Sequence, residues 1–308
     1  MNGAVKPASC PICNRGKDLK PVMDYREFFL YECNDCKVQF FLEVKNPGAD
    51  WYENTSDYGI KDMATPKVYR GFHKKFLEKY GYQKSKSILE LGCGSGEFLH
   101  ELQKRGWNAY GIDFDKKGIE VAKKHFNLQN VFALSFEEFF KNPPLEKFDY
   151  VVFFEIIEHL EKPLEFIRQA KQMLKQGGTM VLSTPSRERF LANWNAWDFP
   201  PHHLARFNRQ SLDNIFKKIN FRITDFSYVE PLKLLIGAVD GRFRSGLVSK
   251  ASAGSSKNKQ SLLFSRGLYL LAKIKFYILG VIPGTCLWSL GKLTGRANGI
   301  MFIELKEN

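Results

Sequence analysis

Four of the six cysteines form two knuckles, Cys10-Pro-Ile-Cys13 and Cys33-Asn-Asp-Cys36, with residues 14–32 between them. Two Cys-x2-Cys pairs at that separation match a structural zinc site. Each knuckle turns two thiolates toward one metal. Four of them close a tetrahedron at ~2.3 Å and leave no position for a substrate. Two disulfides are the competing reading. Against it, the opening residues MNGAVKPASC carry no apolar h-region, so no export by a signal peptide is expected, and thiolates persist in a reducing cytosol. Cys93 and Cys286 stand alone.

The segment Ile88-Leu-Glu-Leu-Gly92-Cys-Gly94-Ser-Gly96-Glu97 puts three glycines where an apolar run opens into a helix. Glycine lets a backbone approach a ligand closely, and a helix N-terminus offers free N–H groups. The dinucleotide fingerprint wants Gly-x-Gly-x-x-Gly. Here Glu97 takes the place of its third glycine, where it would repel a pyrophosphate, and Glu90 adds a second carboxylate on the run itself. A cationic, phosphate-free cofactor suits the pair. The next apolar run ends at Asp113, whose carboxylate can accept both hydroxyls of a ribose. Leu134-Ser135-Phe136 and Phe148–Phe154, the latter continuing as Glu155-Ile-Ile-Glu158-His159, close two further runs.

A histidine is the natural base near neutral pH, and there are six: His73, His100, His125, His159, His202 and His203. His100 and His125 read as structural, and His73 is a weak candidate on the helix before the sheet. His159 follows the fourth apolar run, at the edge where doubly wound sheets bind ligands. In Trp194-Asn-Ala-Trp-Asp-Phe-Pro-Pro-His202-His203, two prolines stiffen a loop that presents two histidines among aromatics. His203, His202 and His159 are therefore the candidate bases. The alternative is that they only hydrogen-bond and shape the loop.

The elements that must position these residues alternate. Strands are predicted at Ile88–Leu91, Ala109–Asp113, Val131–Leu134, Tyr150–Phe154 and Thr179–Ser183. Helices are predicted at Pro66–Tyr80, Glu97–Arg105, Lys116–His125, Phe136–Phe140, Pro163–Lys175 and Arg209–Lys218. Such alternation argues for a parallel, doubly wound α/β sheet. Strands at Arg222–Val229 and Gly299–Leu305 end the pattern. Residues 1–45 read as the ribbon, 46–65 as a linker, 66–230 as the main domain, 231–299 as an insertion and 300–308 as a final strand.

ELGCGSGEF, YGIDFD, FDYVVFFEIIEHLEKP and LKQGGTMVLSTP together resemble the motifs of class I S-adenosylmethionine-dependent methyltransferases. The resemblance covers about residues 66–230 and the final strand. It implies a Rossmann-like, seven-stranded sheet with the last strand antiparallel. It also implies S-adenosylmethionine as cofactor, with Gly92, Gly94 and Gly96 along its methionine part, Asp113 on the ribose, and Ser135 and Phe136 flanking the adenine. Glu90, Cys93, Phe114, Phe154 and Glu155 are further cofactor-binding candidates. Ser135 departs from relatives that carry an acid there, which touches affinity rather than identity of the cofactor. The "PPHH…RF…SL" stretch is similar to one lying over the acceptor pocket in related enzymes. With a zinc ribbon in front, the whole resembles bacterial methyltransferases of sugar and polysaccharide biosynthesis.

The chain has 308 residues, 46 Lys+Arg and 33 Asp+Glu, for a net charge of +13. Hydrophobic residues at 44% and charged residues at 26% exclude disorder. The longest charge-free apolar stretch, Phe276–Gly291, contains Pro283 and falls short of the ~18–20 residues of a spanning helix, which excludes a polytopic membrane protein. Residues 231–299 hold 11 basic and 1 acidic side chains, a net of +10, so the excess charge is local. Interleaved with Phe264, Tyr269, Phe276, Tyr277 and Trp288, it suits helices at an anionic membrane interface; a helical lid with solvated lysines is the other reading. A sugar, lipid or lipid-linked acceptor is expected, in a cytoplasmic protein peripheral to the inner face of a membrane. An rRNA or tRNA methyltransferase is the alternative. Residues 10–45 carry 6 basic and 6 acidic side chains, so the ribbon lacks the positive charge that gripping phosphates requires. A degenerate, non-enzymatic scaffold is a third reading, which the intact glycine turn and Asp113 oppose.

Overall fold

The computed structural model describes residues 7, 9–14, 18–25, 28–42, 45–48, 51, 70–81, 83–189, 198–229, 281–293 and 299–308. Three short strands, β1 (Leu19–Asp24), β2 (Phe29–Cys33) and β3 (Gln39–Phe41), form an antiparallel meander around the cysteines. Helix α1 (Gly71–Tyr80) then leads into the alternating part of the chain. There, β4 (Ser87–Leu91), β5 (Asn108–Asp113), β6 (Val131–Ala133), β7 (Phe148–Phe154) and β8 (Leu174–Pro185) are parallel neighbours. Helices α2 (Glu97–Lys104), α3 (Lys116–Phe126), α4 (Phe136–Lys141) and α5 (Pro163–Gln172) connect them.

A two-residue strand, β9 (Ala205–Arg206), is followed by α6 (Arg209–Lys217), β10 (Phe221–Val229), α7 (Ile282–Leu293) and β11 (Ile300–Glu307). The large sheet has the order β10-β11-β8-β7-β4-β5-β6. Strand β11 runs antiparallel to both β10 and β8, so the expected seven-stranded sheet with an antiparallel final strand is what forms. The small sheet has the order β1-β2-β3-β9, so the meander takes its fourth strand from the segment after His203.

Successive side chains of a strand point to opposite faces, and here both faces are dry. Val151 and Phe153 join one buried cluster, Val152 and Phe154 the other. That is why the strands read as unbroken apolar runs rather than alternating ones. The first cluster also contains Cys10, Val38 and Phe40, so the meander's interior is continuous with one face of the sheet. On the other face, a Cβ at Gly111 would lie 2.5 Å from Leu99 Cδ1 and 2.8 Å from Cys93 Sγ. Gly111→Ala is therefore expected to cost about 1–3 kcal/mol of overpacking, read as a lower urea midpoint.

Boundaries shift modestly from the sequence-based expectation. The fifth parallel strand extends to Leu174–Pro185, because residues flanking its apolar centre continue the ladder. The predicted helix over Pro66–Tyr80 is seen from Gly71; residues 66–69 lie outside the described residues. Most of the expected 46–65 linker and 231–299 insertion lies outside them too, with α7 the described helix of the latter. Among the described residues, no helix is long and apolar enough to cross a membrane.

Candidate active site

The turn after β4 has Gly92, Gly94 and Gly96 at φ of 87°, 53° and 80°. Two of them differ in what a side chain would meet. A Cβ at Gly92 would lie 2.6 Å from Ile156 Cδ1, whereas one at Gly94 would meet nothing within 4 Å. Gly92 thus packs the turn against the segment after β7, while Gly94 keeps a surface bare beside the N-terminus of α2. Asp113 fastens this turn: Oδ2 accepts from the Gly94 N–H at 2.8 Å, and Oδ1 from the Asp115 N–H at 2.8 Å. With lone pairs remaining on both oxygens, the carboxylate can still accept ribose hydroxyls. Glu97 is occupied locally, accepting from Ser95 Oγ at 2.8 Å.

Glu90 is 3% exposed, and its Oε2 has no hydrogen-bond partner among the described residues. Its Oε1 lies 3.9 Å from His73 Nε2. Burial, then the nearby charges of Asp113 and Glu97, push this carboxyl well above the usual carboxylate range. Burial, and secondarily Arg70, hold His73 down to about 3, so it stays neutral. The His73 ring stacks on Phe98, with centroids 4.6 Å apart and planes at 11°. A buried carboxyl with an unsatisfied oxygen is what a cationic ligand would ionise. The ammonium and sulfonium of S-adenosylmethionine fit this site, and a pyrophosphate does not. Because burial favours the protonated form of Glu90 and a bound cation favours the ionised one, binding is expected to be accompanied by proton release and to tighten as pH rises. Calorimetry in buffers of different ionisation enthalpy reads that directly.

The remaining cofactor candidates divide. Cys93 is buried against Gly111, and Phe154 stacks on Phe72 at 5.0 Å and 19°. Glu155, at φ of 57°, accepts from Ser183 Oγ at 3.1 Å. Burial, opposed by Arg70, brings its carboxyl up to about 7. Phe114 follows Asp113 at the same sheet edge and is half-buried. Ser135 forms a capping box with Glu138 at the start of α4, and Phe136 packs on Phe166 at 4.8 Å. Ser135 thereby satisfies the α4 terminus, and Phe136 joins α4 to α5.

A second constellation lies on the same edge, one residue beyond the Ile157 that follows Ile156. Glu158, His159 and His203 each direct one donor atom to a common point, all within 4.8 Å of one another. His159 Nδ1 donates to the His202 carbonyl at 2.7 Å, since a carbonyl can only accept. His203 Nδ1 lies 3.3 Å from Asp198 Oδ1. With both protons on Nδ1, each ring presents a lone pair on Nε2. Glu158 Oε2 accepts from Thr184 Oγ1 at 3.0 Å, while Oε1 is buried and unpartnered among the described residues. Burial, reinforced by Glu155, pushes Glu158 well above the carboxylate range. Burial holds His159 down to about 3 and lowers His203 against the pull of Asp198. Asp198 stays ionised, its carboxylate bonded by His203 and also by Arg189. His202 contributes its carbonyl, and its ring stands edge-on to Trp51 at 4.9 Å.

A family model described as a methyltransferase domain matches residues 63–225, more than half of the 308-residue chain. The chain belongs to that family. Its strand order and glycine turn are those of class I methyltransferases, the class that uses S-adenosylmethionine. The chain is 25% identical over 213 residues to the ubiquinone biosynthesis O-methyltransferase of Hydrogenovibrio crunogenus, covering 68% of this chain and 79% of that protein. It is 34% identical over 164 residues to the mitochondrial ubiquinone biosynthesis O-methyltransferase of Schizosaccharomyces pombe, covering 48% and 60%. Against the Actinobacillus pleuropneumoniae serotype 7 protein of the same name, identity is 33% over 109 residues, or 33% of this chain and 47% of that protein. The chain thus spans about half the length of the Actinobacillus pleuropneumoniae relatives it matches. A solved S-adenosylmethionine-dependent methyltransferase from Archaeoglobus fulgidus superposes with a TM-score of 0.48 at 20% identity, covering 76% of this chain and 92% of that one.

The cysteines of this methyltransferase come together as the spacing predicts. Cys10 Sγ lies 3.8 Å from Cys36 Sγ, and Cys13 Sγ lies 3.9 Å from Cys33 Sγ, with all four buried and unbridged. A tetrahedron of ~2.3 Å Zn–S bonds has edges of about 3.8 Å, so the four donors fit zinc. Asp198 and Thr184 are the partners of His203 and Glu158 that the sequence does not single out. Both stand inside motifs already singled out, WNAWDFPPHH and LSTP, but their partners lie 5 and 26 positions away in sequence. His73 gains weight beside Glu90. Trp194 and Trp197 lie outside the described residues.

Proposed function

We propose that the chain transfers the methyl group of S-adenosylmethionine to a hydroxyl of a lipid-like or lipid-linked small molecule, a sugar among the candidates. The observation that carries this is the clustering of one ring nitrogen each of His203 and His159 with a carboxylate oxygen of Glu158, all within 4.8 Å, with His159 Nε2 4.0 Å from Glu158 Oε1, at the sheet edge that holds the glycine turn. An amine or carbon acceptor would not need such a set; a hydroxyl must lose a proton. The relatives' names, which specify O-methyl transfer, support the acceptor atom. Bound S-adenosylmethionine supplies an electrophilic methyl carbon on a sulfonium sulfur.

The residues then divide the work. Glu90 balances the cofactor's positive charge, Asp113 holds its ribose, and the Gly92–Gly96 turn lets it lie against backbone. His203 accepts the hydroxyl proton on Nε2, and ionised Asp198 steadies the imidazolium through Nδ1. His159 and Glu158 hold the oxygen in line with the methyl carbon, where orientation lowers the barrier. The basic, apolar residues 231–299 would bring the chain to an anionic membrane carrying such an acceptor. Incubation with methyl-labelled cofactor, a panel of phenolic, saccharide and lipid-linked hydroxyl compounds, and total RNA tests this. Label in an ether-forming small molecule is expected; label confined to RNA overturns it.

One observation favours a second reading of the same three groups. Glu158 Oε1 is unsatisfied, and both histidines are anchored at Nδ1 by oxygen acceptors, the pattern that orients metal-ligating imidazoles. Two imidazoles and one carboxylate suit a divalent first-row cation, which would acidify the hydroxyl in place of a histidine base. Mn2+ titration followed by electron paramagnetic resonance separates the readings. A bound signal lost in His159→Ala favours the cation, and no bound signal favours the base.

A further inference from the structure

We infer that the cysteine ribbon is a positioning part of the acceptor site, so that metal on the four thiolates governs methyl transfer while leaving cofactor binding unchanged. The inference rests on the reading of Glu158, His159 and His203 as the acceptor cluster. It starts from one peptide. The Leu204 carbonyl accepts from the Phe41 N–H at 3.0 Å, and the Leu204 N–H donates to the Glu158 carbonyl at 2.8 Å. Leu204 directly follows His203. A single residue therefore ties the ribbon on one side to Glu158 on the other.

The ribbon side of that tie is built on the metal knuckle. The Lys37 N–H donates to the Cys33 carbonyl at 2.8 Å and the Cys33 N–H to the Val38 carbonyl at 3.1 Å, so the Cys33–Cys36 turn sets where β3 begins. Strand β3 pairs with β9, Gln39 against Arg206 and Phe40 against Ala205. Arg206 lies over Phe41 at 5.0 Å and over Phe199 at 4.7 Å, and its Nη2 donates to the Asp198 carbonyl at 3.0 Å. The residue that orients His203 is thus held by an arginine clamped on a ribbon ring. Arg187 adds a third strap, Nη1 to the Lys37 carbonyl at 2.8 Å and Nη2 to Glu32 at 3.1 Å. Beyond the ribbon, Asn46 Nδ2 donates to the His159 carbonyl at 2.8 Å.

None of these bonds reaches the cofactor side. Asp113 and Gly94 are hydrogen-bonded to each other, and β4, which carries Glu90, takes its ladder bonds from β5 and β7, so these groups share packing but no hydrogen bond with the ribbon among the described residues. Without metal, four buried thiols lose what draws them together, and β3 loses its anchored start. The strand β9, only two residues long, has no other partner in the small sheet. The histidine then loses its position and the glycine turn does not.

The experiment uses the full chain, with zinc counted by a chromogenic chelator before and after stripping. Three quantities are read: amide exchange at Leu204 and at residues 92–96, affinity for S-adenosylhomocysteine, and methyl transfer to the hydroxyl compound of the panel that takes the label. Stripping is expected to speed exchange at Leu204 at least tenfold, change affinity by less than twofold, and cut turnover at least tenfold. Arg206→Lys, which keeps the thiolates and the charge but not the planar clamp, is expected to retain zinc and affinity and lose about tenfold in kcat. Unchanged exchange at Leu204 in the stripped chain overturns the inference, as does full turnover without zinc. Faster exchange at Leu204, combined with a His203→Ala variant of undiminished turnover, leaves the coupling standing and removes the reading of the cluster.

Discussion

His203→Ala is expected to lower kcat by about 10²–10⁴-fold, the range that positioned proton transfer contributes, with S-adenosylhomocysteine affinity changed less than twofold. The split follows from the layout. His203 is bonded to Asp198 and stands over His159, with ring centroids 4.9 Å apart, while the glycine turn and Asp113 are held by other strands. Asp198→Asn should show a smaller loss of the same kind, because the imidazole keeps its place but the carboxylate that stabilises its cation is gone. The pH profile supplies an independent mark. Burial lowers the His203 pKa, so the lone pair on Nε2 is already available at neutral pH. The wild-type rate should be flat from about pH 7 upward and fall only as pH drops below the ordinary histidine range of ~6.5. A profile still rising steeply between pH 7 and 9 would assign the proton to another group.

Asp113→Ala should weaken S-adenosylhomocysteine binding by about 10²-fold. Hydrogen bonds to a charged acceptor contribute about 1.5–3 kcal/mol each, and about 1.4 kcal/mol is tenfold in affinity. Losing the ribose contacts alone therefore accounts for about two orders of magnitude. The same change releases the Gly94 N–H, bonded at 2.8 Å, so the turn itself loosens. Asp113→Asn separates the contributions, since it keeps one oxygen for the turn and removes the charge. Its affinity should fall between those of wild type and Asp113→Ala. Calorimetry with the wild type in parallel checks both.

The glycine turn was legible because it is local. Gly92–Gly96, Glu90 and Asp113 lie on or directly after the paired strands β4 and β5, so one short motif on each strand brings them together. The zinc site was legible for the same reason, since spacing within a knuckle is a geometric constraint. The cluster proposed to take the acceptor was read only in outline. His159 and His203 were found by type and by strand edge, but their protonation is set by Asp198 and the His202 carbonyl, partners that only the folded chain brings close. Ser135, expected at the adenine by motif order, also caps α4, a local role that motif order does not reveal. Strand β9 could not have been foreseen at all. Two residues carry no periodicity, and their pairing with β3 links positions some 165 apart.

The register at the outer edge of the large sheet sets a further condition on the acceptor. Val229 pairs with Ile300, and Ile300 pairs in turn with Pro185, the residue after Thr184. The chain thus leaves the ladder at Val229 and re-enters it at Ile300, two adjoining points beside the threonine that holds Glu158, with the stretch 230–299 between them in sequence. Lengthening or shortening that stretch leaves the ladder untouched, and closing a longer loop costs only the logarithm of its length. If the stretch rests on a bilayer, the acceptor's effective concentration at Glu158 is set by tether length rather than by bulk diffusion. Turnover of a membrane-embedded acceptor would then depend on how many basic residues the loop carries, and turnover of a water-soluble analogue would not.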